Sequence, residues 1–217
     1  MNLIGHHEVA RKLSDRTDNY DYYLGSLIPD FIGMWRLHKT FDLISNPELR
    51  AGIRLHQKTD TVFDDLALVR LLKRQMINSF KEFMTKWPAV KCGYIGIDIL
   101  FDNNFIKDES AVEAYDRTMK EAASGQIYLG NVASPPEYLQ EFLIRFASYG
   151  LPRYDDSEIV ARIIYRRLEI TGKCFDYLLV PQLATAIEAF QAPVLDIGQL
   201  VMHETLEQLA TGNSYLY

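Results

Sequence analysis

The stretch "GIRLHQKTDTVFDD", Gly52 to Asp65, decides the fold class, because it sets His56, Asp60 and Asp64 at four-residue intervals in a segment that otherwise reads as helix. Side chains at i and i+4 lie on one helical face, so the imidazole and both carboxylates share a stripe. Ile53, Leu66, Val69 and Leu71 supply apolar contacts around it, which interleaves the acids with core-forming positions. In the plainer reading of the same stretch, Arg54, Lys58, Lys73 and Arg74 neutralise the row as ordinary ion pairs.

A second stretch, "YIGIDILFDNNFI" from Tyr94 to Ile106, repeats the spacing with Asp98 and Asp102 among Ile95, Ile97, Ile99, Leu100, Phe101 and Phe105. Its β-branched residues would suit a strand, but the Asp98 and Asp102 spacing predicts a helix. A buried carboxylate without a partner is costly and would take up a proton. Few cations lie near this pair in sequence. Carboxylates converging with histidines are explained economically by a divalent cation, whose charge reverses their repulsion. Oxygen-rich ligation with one or two imidazoles suits Mn²⁺, Fe²⁺ or Mg²⁺ better than a structural zinc site.

Helical periodicity dominates the rest of the chain. A short helix is expected over residues 5 to 14, and in "SLIPDFIGMWRLHKTF" Pro29 is expected to break or restart a helix, leaving Asp30 at a backbone irregularity. Asn46, Pro47 and Glu48 read as a capped start of a helix continuing through Arg74. Further helices are expected over 76 to 86, ending near Trp87 and Pro88, then over 90 to 107, 109 to 123 and from Pro136 to about Tyr149. Asp155 with Glu158 reads as a capping pair for the next helix. Two more helices are expected over 178 to 190 and 194 to 210, with fraying in the last ten residues.

The 217 residues fit a single helical domain, with a metal-site half over about 1 to 110 and a helical completion over about 111 to 217. Hydrophobic residues at 48% and charged residues at 24% are globular proportions. A net charge of -6 argues against broad attraction to nucleic acid or anionic lipid. Cys92 and Cys174 lie far apart in apolar surroundings and read as reduced core thiols. No signal-peptide pattern and no uncharged apolar run of membrane-spanning length are evident, so a cytoplasmic location without membrane insertion is expected. Of the five histidines, His6, His7, His38 and His56 lie in the first 56 residues. His7 and His38 are expected at the surface or beside the ligands, and His203 in a structural role.

Together, "MNLIGHHEVA", "YYLGSLIPDF", "AGIRLHQKTDTVFDDL" and "YIGIDILFDNNFI" resemble the acyl carrier protein phosphodiesterase family, grouped with the HD-domain metal-dependent phosphohydrolases. The resemblance is densest over residues 1 to 110. It implies an all-α fold and hydrolysis of the phosphodiester that links 4'-phosphopantetheine to a serine of acyl carrier protein, with a divalent metal, typically manganese. By motif, the family's early histidine falls on His6, its glycine-to-aspartate segment on Gly25 through Asp30, and its histidine and two aspartates on His56, Asp60 and Asp64. Its next aspartate pair falls on Asp98 and Asp102. This chain departs from the family at Asn103, where histidine is common, and at Ser26 and Pro29 in the glycine segment.

The resemblance therefore implies metal ligation by His6, Asp30, His56, Asp60 and Asp98, with Asp64, Asp98 or Asp102 as further ligand or base. Arg54 and Lys58 are the candidates to steady the phosphoryl oxygens. Holo acyl carrier protein or a small phosphodiester is the expected partner, and nucleic acid is not. The alternatives are a helical phosphohydrolase for a phosphorylated metabolite or lipid headgroup, and a non-catalytic helical scaffold whose polar residues pair among themselves.

Overall fold

The computed structural model describes residues 1–14, 18–35, 44–125, 136–170, 172–173 and 175–212. Among them there are nine α-helices, one short 3-10 turn at Tyr177–Leu179 and no strand, so the protein is all-α. The helices are α1 (Leu3–Leu13), α2 (Tyr20–Trp35), α3 (Pro47–Asp65), α4 (Ala67–Phe80), α5 (Lys86–Ile106), α6 (Glu109–Ala123), α7 (Pro136–Tyr149), α8 (Ser157–Ile170) and α9 (Val180–Gly212). His38, Cys174 and the last five residues lie outside the described residues.

The helices form two compact units, each drawn from separate parts of the chain. One comprises Leu3–Asp60 and Phe105–Leu151. In it α1 packs on α2 and α6, α2 on α6, and α6 on α7, around buried Ile4, Val9, Leu24, Leu27, Phe31 and Tyr115. The other comprises Met1–Asn2, Thr61–Asn104 and Pro152–Tyr217. There α9 packs on α8 and α4, with Phe63, Met76, Phe101, Ile164, Leu183 and Ile187 buried.

Local chemistry explains several boundaries. Asn46 accepts from the backbone N–H groups of Glu48 at 2.9 Å and Leu49 at 3.3 Å, so the expected cap of α3 is present. Asp108 caps α6 through Ser110 and Ala111. The cap of α8 is Asp156, not Asp155: its carboxylate accepts from Glu158 N at 2.9 Å and Ile159 N at 3.2 Å.

Four expected helix boundaries are corrected. Pro29 lies inside α2 and Pro193 inside α9. Each removes one i to i−4 hydrogen bond, but Leu27, Ile28 and Phe31 around the first and Val194 beside the second are buried, and that packing carries the helix through. The single helix expected from Asn46 to Arg74 is instead α3 and α4, separated at Leu66, whose extended backbone (φ −61°, ψ 132°) interrupts the helical path while its side chain stays buried. Trp87 and Pro88 open α5 and do not close its predecessor. Proline fits a first turn, where its missing N–H has no intrahelical partner to lose. The helical span Tyr177–Thr211 is, by length and composition, apolar enough to cross a membrane, although it carries Glu188, Asp196, Glu204 and Glu207.

Candidate metal centre

Two glycines set the geometry of the centre in the first unit. A Cβ on Gly52 would stand 2.1 Å from the Tyr22 carbonyl oxygen, and one on Gly25 would stand 2.3 Å from that of Leu49. The backbones of α2 and α3 therefore touch there, an approach open only to residues without a side chain. One turn beyond Gly52, His56 Nδ1 comes within 2.7 Å of the Ser26 carbonyl oxygen. A carbonyl only accepts, so Nδ1 carries a proton, and in the neutral ring it is Nε2 that keeps a lone pair.

Asp30 from α2 and His6 from α1 complete the group: one ligating atom from each of His6, Asp30 and His56 lies within 4.8 Å of the others. The two imidazoles stack with centroids 3.7 Å apart and planes 20° from parallel. Across them lies Asp60, with Oδ1 3.0 Å from His6 Nε2 and Oδ2 3.2 Å from His56 Nε2. His6 is 1% exposed and the Asp60 side chain 46%, so the histidines lie inside while Asp60, like the half-buried Asp30, meets solvent.

The electrostatics follow from burial and proximity. Burial and the neighbouring His56 lower the pKa of His6, leaving it neutral and able to donate a lone pair. Burial also pulls His56 down, but its hydrogen bond to Asp60, the charge of Asp30 and the Ser26 carbonyl outweigh it and leave that pKa raised. Asp60 is held far below the usual carboxylate range: burial opposes this, and the two imidazoles beside its oxygens prevail. Among the described residues, His6 Nδ1, His6 Nε2 and Asp30 Oδ2 are buried without a hydrogen-bond partner. His6 Nε2 is thus close to Asp60 yet not aligned with it. Such orphaned donors and acceptors cost free energy unless something satisfies them. Two imidazoles with two carboxylates are a donor set suited to a divalent transition-metal ion, and the residues present fit one.

Arg54 is exposed and Lys58 half-buried on α3. Asp64 and Asp98 belong to the second unit, where Lys73 Nζ lies 2.6 Å from Asp64 Oδ1 and 2.7 Å from Asp98 Oδ1. The Lys73 side chain is 4% exposed, with Nζ 5.2 Å from the Phe63 ring centroid and 4.8 Å from that of Tyr94. Burial lowers the pKa of Lys73, but the two aspartates more than offset this and leave it raised. Asp102 is fully buried on α5. Asn103, where the family commonly has histidine, donates to the Tyr154 carbonyl oxygen at 2.7 Å and to Gln191 Oε1 at 2.8 Å, tying α5 to α9.

His7, expected at the surface or beside the ligands, is wholly buried against the Tyr23 and Tyr115 rings. The Thr118 hydroxyl gives its proton to the Ala114 carbonyl, so His7 Nε2 donates to Thr118 Oγ1 at 3.0 Å. Burial lowers the His7 pKa to about 3, which fixes a neutral structural histidine. His203 is exposed on α9. Cys92 is buried, its thiol pushed up to about 12, as suits an inert core residue. Sequence reasoning missed the Ser26 carbonyl, the contact of Gly25 with Gly52, and Lys73 as the counter-ion of Asp98. The two glycines spaced ahead of Asp30 and His56 were the only local signal for the first two.

Searches among curated proteins and among solved structures gave no match. The family model of acyl carrier protein phosphodiesterase matches residues 1–192, well past the motif-rich first half. With most of its length covered, and with the histidines and aspartate of the early motifs gathered in one group, the chain belongs to the acyl carrier protein phosphodiesterase family.

Proposed function

We propose that this protein is a metal-dependent phosphodiesterase that hydrolyses the ester between 4'-phosphopantetheine and a serine of holo acyl carrier protein, acting in the cytoplasm through an HD-type helical site. Family membership supports a hydrolase acting on phosphodiester bonds. The observation that carries the metal is the buried His6 and the half-buried Asp30, each with a buried atom that has no hydrogen-bond partner among the described residues, beside a His56 whose Nδ1 is engaged by the Ser26 carbonyl. His6, Asp30, His56 and Asp60 are the residues that would hold it, with Mn²⁺ the preferred ion and Fe²⁺ or Mg²⁺ the alternatives.

When bound, such an ion supplies Lewis acidity, offsetting negative charge at the phosphoryl group and making water a better nucleophile. The chain does the rest. The contact of Gly25 with Gly52 holds Ser26 against His56 and so keeps that ring in one tautomer and orientation. Asp60, held so far below its ordinary pKa, is a weak base and acts as fixed charge and hydrogen-bond acceptor on the solvent side. Arg54 and Lys58 are the nearest cations along α3 to steady phosphoryl oxygens. Attack by water breaks the bond from phosphorus to the serine oxygen, which leaves with a proton. Asp64 and Asp98 are read as the partners of Lys73 and not as ligands.

The direct test is incubation of manganese-loaded protein with holo acyl carrier protein, followed by mass spectrometry. Release of 4'-phosphopantetheine with return of the apo carrier is the expected result. An intact holo carrier together with hydrolysis of a small phosphodiester would redirect the reading to a metabolite or headgroup substrate.

A further inference from the structure

In the second unit, Trp87, Pro88, Lys91 and Lys173 line a mostly apolar hollow of about 410 Å³. Trp87 is 74% exposed. The walls are firm. Trp87 and Pro88 belong to the first turn of α5. Lys173 is fixed by the end of α8: Gly172 adopts φ 69°, its N–H reaches the Glu169 carbonyl at 3.0 Å, and Lys173 N reaches that of Leu168 at 2.9 Å. These two bonds are the Schellman arrangement that ends a helix on a left-handed glycine.

The charges around the hollow are uncommitted. Arg145, Arg153, Arg162 and Arg166 are each taken up by an acid of their own neighbourhood. Among the described residues, Lys91 and Lys173 enter no ion pair. An indole and a proline flanked by two free ammonium groups match a surface that brings an apolar side chain between carboxylates. Interfaces concentrate binding energy in such a tryptophan-centred patch with a charged rim.

We propose that this hollow is the docking site for an acidic protein partner, with Trp87 as the apolar anchor and Lys91 and Lys173 as the rim that steers it. The proposal rests on the reading of an acyl carrier protein as substrate, and places that partner's contact at the start of α5. All three side chains are exposed, so their replacement leaves the core intact.

The test uses dye-labelled holo acyl carrier protein, fluorescence anisotropy for binding, and parallel turnover of the carrier and of bis-p-nitrophenyl phosphate. Trp87→Ala is expected to weaken carrier binding by about 30-fold. The double variant Lys91→Glu, Lys173→Glu is expected to weaken it about tenfold and to reduce its salt sensitivity. Both should keep the wild-type rate on the small diester. Carrier bound and cleaved equally well by wild type and variants would overturn the docking site and leave the phosphodiesterase reading standing. Carrier bound but never cleaved by wild type, with binding lost in the variants, would sustain the docking site and sink that reading. A wild type that neither binds nor cleaves it overturns both. Loss of self-association in Trp87→Ala, or loss of anionic-vesicle binding in the lysine variant, with carrier binding unchanged, would assign the hollow to another occupant and overturn the proposal.

Discussion

Around His56, two imidazoles and two carboxylates gather, and His6 and Asp30 keep buried atoms that have no hydrogen-bond partner among the described residues. Around Asp98 a lysine supplies the neutralising charge: Lys73 stands between two aspartates at 2.6 and 2.7 Å, under two aromatic rings. Asp60 and Asp64, four residues apart on α3, end in different groups, so the spacing alone did not decide the company each acid keeps. A carboxylate whose counter-ion is an internal lysine has no need of a metal, because the desolvation of its charge is already offset. A donor set left open does need one. Proximity of acids in sequence therefore says little; the source of the neutralising charge separates a structural group from a binding one.

The largest effect expected from this contrast is on turnover. Asp30→Asn or His6→Ala should abolish metal retention and lower phosphodiester hydrolysis by on the order of 10³-fold, the several kcal/mol a metal supplies to a phosphoryl transition state. Lys73→Met should instead leave metal retention near wild type and cost stability. Removing one member of a buried ion pair typically costs about 3–5 kcal/mol, and the half-exposure of Asp64 argues for the lower end. Urea unfolding would read it, and a loss of metal without a loss of stability would erase the distinction between the two groups.

Gly52→Ala probes how the first group is held. Its new methyl would meet the Tyr22 carbonyl at 2.1 Å, so α2 and α3 must part, at a cost of about 1–3 kcal/mol in thermal unfolding. Because Ser26 then withdraws from His56, metal affinity should fall about 10- to 100-fold, as when an outer partner of a ligand is removed. Unchanged affinity would show that the carbonyl does not set the ring.

The smallest effect is a pH dependence of the metal-free protein. The raised His56 pKa means that its pairing with Asp60 stabilises the fold fully below the unfolded value near 6.5 and is lost as pH rises through the higher folded value. Asp60, held far below 3.8, stays ionised throughout that window. The stability difference between wild type and His56→Gln should therefore shrink from pH 6 to pH 9, by about 1 kcal/mol per unit of pKa displacement. A difference flat with pH would remove the charged pair from the account.

What could be read in the sequence was the helical spacing and the caps that act over a few residues. Asn46 announces α3 because a short polar side chain and the N–H groups it satisfies are neighbours in the chain. The gathering of His6, Asp30 and His56 was anticipated through the family motifs, not through spacing. The features that stayed hidden depend on tertiary packing. The break at Leu66 has no glycine or proline to mark it, and Pro29 and Pro193 sit in helices that buried neighbours hold together. Asp98 looked like an unpaired acid in a greasy helix because its partner, Lys73, comes from α4. His7 adjoins His6 in sequence but points into a different environment, against Tyr23, Tyr115 and Thr118, since adjacent residues on a helix do not share a face.

The measurement that bears most directly on the central claim is the metal content, by plasma mass spectrometry after manganese loading and desalting, of wild type, Asp30→Asn and Asp98→Asn. The account predicts near-stoichiometric manganese in wild type and in Asp98→Asn, and none in Asp30→Asn. Metal lost from Asp98→Asn while Asp30→Asn retains it, or a folded wild type that holds no divalent ion at all, would contradict it.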